Sequence, residues 1–213
     1  MMTAMLSIPA CAQGYYDYLM QHRRGAANEH WLAQMYASCL LGQSALPLYL
    51  GLPLDVFRSM MDYHFPTLKT LPLPTSIHWP TTPRLAELEA LRTLLHQHAS
   101  NPADSSSGWM VEILCAGCMG DHQLWQDLGL WSQQELSNLM HINFHSLAKK
   151  NNNNMKWKNF LYRQLAEVDG IQRSPSCGSC IDYAACFGAE EEVAPDTHYA
   201  QALTLSDLSG ITP

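Results

Sequence analysis

Apolar residues recur every three or four positions along most of this chain and nowhere alternate with polar ones, a pattern that predicts helices and no sheet. Residues 15–41 place Leu19, Met20, Trp31, Leu32, Met35 and Leu40 at such spacings, interrupted around Gly25, and read as one long helix or two short ones. A helix over residues 55–63 brings Val56, Met60 and Met61 to one face. The five prolines of residues 65–83 resist regular structure and predict a surface loop. Thr82 and Pro83 then supply a cap and a first-turn proline for a helix carrying Leu85, Leu88, Leu91 and Leu95, up to about residue 98. Residues 101–108, with Pro102, Asp104 and three serines, read as a flexible connector, and 109–119 as a buried helix. Ser132 and Glu135 have capping-box spacing and open a predicted helix over 133–149, with Leu136, Leu139, Met140, Phe144 and Leu147 on its apolar side. After the asparagines of 151–154, a last helix over 155–168 aligns Trp157, Phe160, Leu161 and Leu165.

The expected fold class is therefore mainly α: a helical bundle-like domain with a Cys-rich C-terminal loop folded against it. Residues 1–100 form an N-terminal helical part, 101–188 a helical core with the cysteine cluster, continuous with the first part as one domain, and 189–213 a flexible tail that follows the acidic Glu190, Glu191 and Glu192.

Composition narrows the partners. With 213 residues the chain can bury one substantial core, and a formal charge of -7 argues against nucleic acid, whose phosphates need a basic surface. No segment approaches the roughly 20 apolar residues of a membrane span. Met1 to Ala12 ends in small residues, as a leader cleavage site does, but lacks an early Lys or Arg, so no secretory signal is expected. Seven cysteines, an odd number and partly clustered, fit reduced thiols in the cytoplasm.

Cys177, Cys180 and Cys186 form a C-x2-C-x5-C array, in which Gly178 and Ser179 let the backbone coil so that several thiolates meet one soft metal. Cys115 and Cys118 make a second C-x2-C, but the chain between Cys118 and Cys177 is far longer than compact zinc modules place between their pairs. On spacing alone, structural zinc and an iron–sulfur cluster are equally good occupants. Cys115 lies in an apolar helical run and reads as a small buried hydrophobe; Cys118, just before Gly120, is more open to ligation. His122 is a loop histidine near thiols and a candidate ligand. His141 and His145 stand four apart on a predicted helix, where they read as surface or half-buried residues rather than a metal pair, and Ile142 excludes the H-E-x-x-H arrangement. A thioredoxin-like redox role lacks its βαβ setting, and no G-x-S-x-G, phosphate-binding glycine loop or tuned carboxylate pair is present. The chain reads as a metal holder, not an enzyme.

Leu124-Trp125-Gln126-Asp127-Leu128-Gly129-Leu130, Asn154-Met155-Lys156-Trp157-Lys158, Tyr162-Arg163-Gln164 and Ser174-Pro175-Ser176-Cys177 with Cys180 and Cys186 together resemble the NifQ family, over about residues 118–188. Pro47-Leu48-Tyr49-Leu50-Gly51-Leu52 is a fainter likeness. The resemblance implies an iron–sulfur carrier able to incorporate molybdenum and pass it toward assembly of the nitrogenase iron–molybdenum cofactor. It also implies two partners, the nitrogenase cofactor scaffold complex and the nitrogenase iron protein. Two positions depart from the family pattern. Its C-x4-C-x2-C-x5-C array expects a cysteine where this chain has Gln172, and its histidine before Leu-Trp-Gln-Asp is here Gln123, with His122 one position earlier. A cube with three irons needs one thiolate per iron, which Cys177, Cys180 and Cys186 supply, so a 3Fe-4S or molybdenum-containing Mo-3Fe-4S cluster fits the three that remain. Cys118, His122 or Gln172 would be candidate ligands at the open corner. Trp125, Trp157, Phe160 and Tyr162 read as packing residues. Lys156, Lys158 and Arg163 read as a solvated helix face that near a cluster would balance its charge, and Asp127 as a turn cap or an orienting group. The competing class is a zinc-binding structural or regulatory interaction module, and a thiol redox enzyme is a poorer third.

Overall fold

A computed structural model of the chain describes residues 11–70, 85–152 and 154–169. The array Cys177, Cys180 and Cys186, Gln172, the predicted tail, the Thr82–Pro83 cap and the first ten residues lie outside them. Among the described residues the elements are α1 (Ala12–Met20), α2 (Glu29–Leu40), a 3₁₀ turn (Leu48–Gly51), α3 (Leu54–His64), α4 (Leu85–Gln97), α5 (Ser105–Cys118), α6 (Leu124–Asp127), α7 (Gln133–Asn143), α8 (His145–Lys150) and α9 (Trp157–Asp169), with no strand. The fold is mainly α, as the periodicity predicted.

Residues 15–41 form two helices, and the break falls where Gly25 adopts φ +95, a left-handed conformation that suits glycine. The turn is closed by the buried Glu29, whose carboxylate accepts from the backbone N–H groups of Arg24, Gly25 and Ala26 at 2.9–3.0 Å. Ten residues of α2 from Trp31 to Leu40 are buried, so it is the central helix, covered on all sides. α1 packs on α2, α4 on α5 and on α9, and α7 on α8. One apolar core runs from Leu19 to Leu165; Tyr36, Phe57, Phe65 and Phe144 are its bulkiest fully buried members, each contributing about 1.5–3 kcal/mol by burial.

Residues 48–51 make a tight turn in which Tyr49 and the buried Leu50 both take positive φ, 60° and 57°. Such a conformation is uncommon for non-glycine residues and persists here because Leu50 is packed in the core. Gly51 then lies so close to α5 that a Cβ would come within 2.7 Å of the Ala116 Cβ.

Two predicted elements differ in the structure. The connector 101–108 ends at Asp104, and its three serines and Gly108 are the first turn of α5. Asp104 caps that turn by accepting from the Ser106 N–H, and Ser106 Oγ is hydrogen-bonded inside the protein to His64 and Asn28, so the serines are not linker. The single helix predicted over 133–149 is two, broken at Phe144 (φ −139, ψ 51). Ser100 takes over the backbone groups at the break: its N–H donates to the Asn143 carbonyl at 2.8 Å, and its Oγ accepts from the His145 N–H at 3.1 Å. Asn143 is held from the other side by Asn28, Nδ2 to Oδ1 at 2.7 Å. Ser132 caps α7 as expected, but the Glu135 side chain turns away from the cap to His30 and Trp31. No helix among the described residues is long and apolar enough to cross a membrane.

Candidate functional site

The last helix, α9, precedes the cysteine array in the sequence, and its attachment ties together three of the segments that carry the family likeness. Lys158 is buried on that helix, where its Nζ donates to the Gly120 and His122 carbonyls at 2.8 Å each and to Oδ2 of Asp127 at 2.5 Å. Asp127 is 1% exposed, and its carboxylate also accepts from the His122 N–H. One turn on, the Tyr162 hydroxyl donates to the Cys118 carbonyl at 3.2 Å. The loop between α5 and α6 is thus held between Asp127 on one side and Lys158 and Tyr162 on the other. Burial pushes the Asp127 carboxyl above the usual carboxylate range, while the Lys158 ammonium and the His122 N–H pull against it.

Lys158 is therefore not part of a solvated helix face. It shares a side of α9 with Leu161 and Leu165, three and seven residues on, and that periodicity was the signal in the sequence that it points inward. Its ammonium tolerates burial because three acceptors replace water. Of the other two cations, Arg163 is exposed and paired with Glu167, and Lys156 is half-buried. Trp157 and Phe160 are core residues, ring against ring at 5.8 Å.

The loop has no room for a larger residue at position 120, where a Cβ would come within 2.4 Å of the Asp127 carboxyl carbon. Gly120→Ala is expected to cost about 1–3 kcal/mol, as overpacking against an immobile group does, and urea unfolding measures it.

Cys115 and Cys118 are each 1% exposed at the end of α5, and both are reduced. Burial, with Cys118 adding to it, pushes the Cys115 thiol far up, which makes it an inert core group as its sequence setting suggested. The Cys118 side chain faces the same core, so a metal reaching its sulfur has to displace packed side chains. His122 is the better placed candidate. Its side chain is 67% exposed, and its Nδ1 lies 3.6 Å from Oδ1 of Asp127, near enough for the carboxylate's charge to act on the ring but beyond hydrogen-bond distance. Gln123 does not act as a ligand-like group: its side chain caps α6 in a capping box with Gln126 and accepts from Trp125 Nε1. His141 and His145 are separated by the break at Phe144, and His141 Nδ1 is engaged with the Ser137 carbonyl at 2.9 Å.

Among the described residues no three His, Cys, Asp or Glu side chains converge where they could hold a metal ion. A shallow depression beside the loop, lined by Gln123, Trp125, Gln133, Lys156 and Trp157, is too small to seat a cluster. What the described residues offer a metal is thus one exposed imidazole, beside the helix that precedes the cysteine array in the sequence.

A family model described as NifQ matches residues 31–188, a stretch that includes both the α5–α9 attachment and the cysteine array. The chain is 38% identical over 180 residues to Protein NifQ of Azotobacter vinelandii, covering 79% of this chain and 92% of that protein. It is 33% identical over 167 residues to Protein NifQ of Klebsiella pneumoniae, covering 74% and 96%, and 33% identical over 161 residues to Protein NifQ of Rhodobacter capsulatus, covering 75% and 87%. No solved structure matches. On a family match spanning most of its length and on relatives aligned over nearly their whole chains, this chain belongs to the NifQ family.

Proposed function

We propose that this chain is a carrier, without catalytic turnover, that binds a molybdenum-containing iron–sulfur cluster in the cytoplasm and delivers molybdenum for synthesis of the nitrogenase iron–molybdenum cofactor. Membership of the NifQ family supports a role in nitrogen fixation, and the observation that carries the finer reading is that the family match runs through Cys177, Cys180 and Cys186. Three thiolates suit a cube with three irons, whose fourth corner takes up and gives back another metal. Cys177, Cys180 and Cys186 are the proposed iron ligands. His122 is the proposed contribution of the described residues, and Cys118 contributes only if the end of α5 loosens. The donors that α9 holds in place carry no net charge toward the loop, since the Lys158 ammonium is spent on Asp127 and two carbonyls. A ligand set of three thiolates and one neutral imidazole leaves one position held by a weak donor, which favours release to an acceptor. The proposed acceptors are the nitrogenase cofactor scaffold complex, with the nitrogenase iron protein taking part.

Metal, sulfide and optical analysis of anaerobically purified protein tests this. A brown protein containing iron, sulfide and molybdenum is expected; a colourless protein with one equivalent of zinc would overturn the reading in favour of a structural zinc module. Cys186→Ser is expected to lose most of the iron, and unchanged iron content would remove Cys186 from the ligand set. His122→Ala is expected to keep the iron and lose molybdenum.

A further inference from the structure

The chain is acidic overall, with 19 Asp and Glu against 12 Lys and Arg, yet the charge is unevenly spread. Between Glu135 and Glu167 there is no Asp or Glu at all, while Lys149, Lys150, Lys156, Lys158 and Arg163 all fall there. Lys158 is committed to Asp127 and Arg163 to Glu167, which leaves the other three. Lys149 and Lys150 are exposed in the last turn of α8, and Lys156 is half-buried just before α9. None of the three has an ion-pair partner among the described residues. Asn151 closes the turn between them: its Nδ2 donates to the Met155 carbonyl at 2.8 Å and its Oδ1 accepts from the Met155 N–H at 2.9 Å. The end of α4, which reaches α8 through His98 and Ser146 at 2.7 Å, brings histidines to this corner and no carboxylate. A basic corner left unpaired on an acidic protein attracts an acidic segment.

The same corner adjoins the loop that carries His122. Lys156 and Gln123 line one depression, and Lys158, two residues on, holds the His122 carbonyl. The chain leaves the described residues at the opposite end of α9, 13 residues and about 20 Å away. Thiols that follow Asp169 and an imidazole beside the start of α9 therefore share one site only if residues 170–188 are brought back along the helix. Directly after that stretch stand Glu190, Glu191 and Glu192. The chain from Asp169 to Glu190 spans at most about 70 Å, more than the return requires, and Cys186 precedes Glu190 by at most about 14 Å of chain.

We propose that Glu190, Glu191 and Glu192 dock on the basic corner formed by Lys149, Lys150 and Lys156, strapping the thiol-bearing segment back along α9 so that Cys186 comes beside the loop of His122. The contact follows from charge and reach; its use, which is to close one site from thiols and imidazole, rests on the carrier reading above. Exposed ion pairs are individually weak. Here, however, both sides belong to one chain, so they stay at high effective concentration and a few weak pairs suffice. Salt loosens the strap, because surface charges are screened beyond about 8–10 Å at physiological ionic strength.

Zero-length carbodiimide coupling of the full chain, purified anaerobically, kept dilute and mapped by mass spectrometry, tests the contact. Lys69 is exposed and lies outside the basic corner, so it serves as the internal reference. Coupling of Glu190, Glu191 or Glu192 to Lys149, Lys150 or Lys156 is expected to exceed coupling to Lys69 by about tenfold, and to fall several-fold when salt is raised to about 0.5 M. The second readout is cleavage after these glutamates by a Glu-specific protease. Combining Lys149→Gln, Lys150→Gln and Lys156→Gln is expected to speed it by about tenfold, with helical circular dichroism establishing that the variant is folded. Exchanging the charges, with Lys149→Glu, Lys150→Glu and Lys156→Glu joined to Glu190→Lys, Glu191→Lys and Glu192→Lys, is expected to restore the coupling. Coupling no better than to Lys69, coupling insensitive to salt, or crosslinks only between separate chains would overturn the proposal. Neither readout involves iron or molybdenum content, so a failed strap and a failed carrier reading are told apart.

Discussion

Replacing Lys158 with methionine is expected to lower the unfolding free energy by about 3–5 kcal/mol, the cost of leaving a buried charge without its partner. The variant strands three acceptors at once: the Asp127 carboxylate, 1% exposed, and the carbonyls of Gly120 and His122. The methionine fills most of the lysine stem's volume, so the loss reads out charge and hydrogen bonding and not a cavity. Chemical denaturation with an unchanged m-value measures it. Adding Asp127→Asn to the same chain removes the buried charge and is expected to recover part of the loss. A single variant as stable as the parent would mean that α9 is not held through Lys158. Because domains of this kind are stabilised by only about 5–15 kcal/mol in all, a loss of that size is a large fraction of the total.

The second large effect is an acid instability centred on His64. This residue is fully buried at the end of α3, and burial holds its imidazole down at about 4, with Asp104 opposing the shift and Arg24 adding to it. In the unfolded chain a histidine takes its proton near pH 6.5. Above that pH the imidazole is neutral in both states and its contribution is complete. Below it the unfolded chain gains protons that the folded chain refuses, so stability falls until about pH 4, by about 3 kcal/mol in total. Between pH 7 and pH 5 the parent is expected to lose about 2 kcal/mol more than His64→Gln, which keeps a hydrogen-bonding group toward Ser106 but does not titrate. Urea midpoints at the two pH values measure the difference, and parallel losses in parent and variant would assign the acid sensitivity elsewhere. Asp127 works in the opposite sense, since a raised carboxyl contributes more at low pH, and the comparison with His64→Gln cancels it.

The helices themselves were legible wherever local periodicity decided them. α2, α3 and α9 lie within a few residues of where their apolar spacings put them, and the Ser132 cap opens α7 at the expected residue. The break at Phe144 was not legible. The apolar spacing continues unbroken across it, and the bonds that end α7 come from Ser100, far away in sequence. Likewise Ser105, Ser106 and Ser107 look like linker until Asp104, His64 and Asn28 are seen to satisfy them. At the candidate site, the structure changes the setting of one residue. Lys158 was read with Lys156 and Arg163 as surface charge, because a lysine on an apolar face becomes intelligible only once Asp127, thirty-one residues earlier, is known to meet it. The pairing of Glu135 with His30 and Trp31 left no motif at all, since its members come from two helices far apart in sequence.

The attachment of α9 is written almost wholly in main-chain atoms. Lys158 holds the Gly120 and His122 carbonyls, Tyr162 holds the Cys118 carbonyl, and Asp127 takes the His122 N–H. Such a joint does not notice which side chains the loop displays, apart from the glycine at 120. Position 122 is thus a mounting whose fitting can be exchanged, because α9 grips only its main chain and its side chain is exposed. Under the proposed function, that position is where a different ligand can be introduced without rebuilding the scaffold.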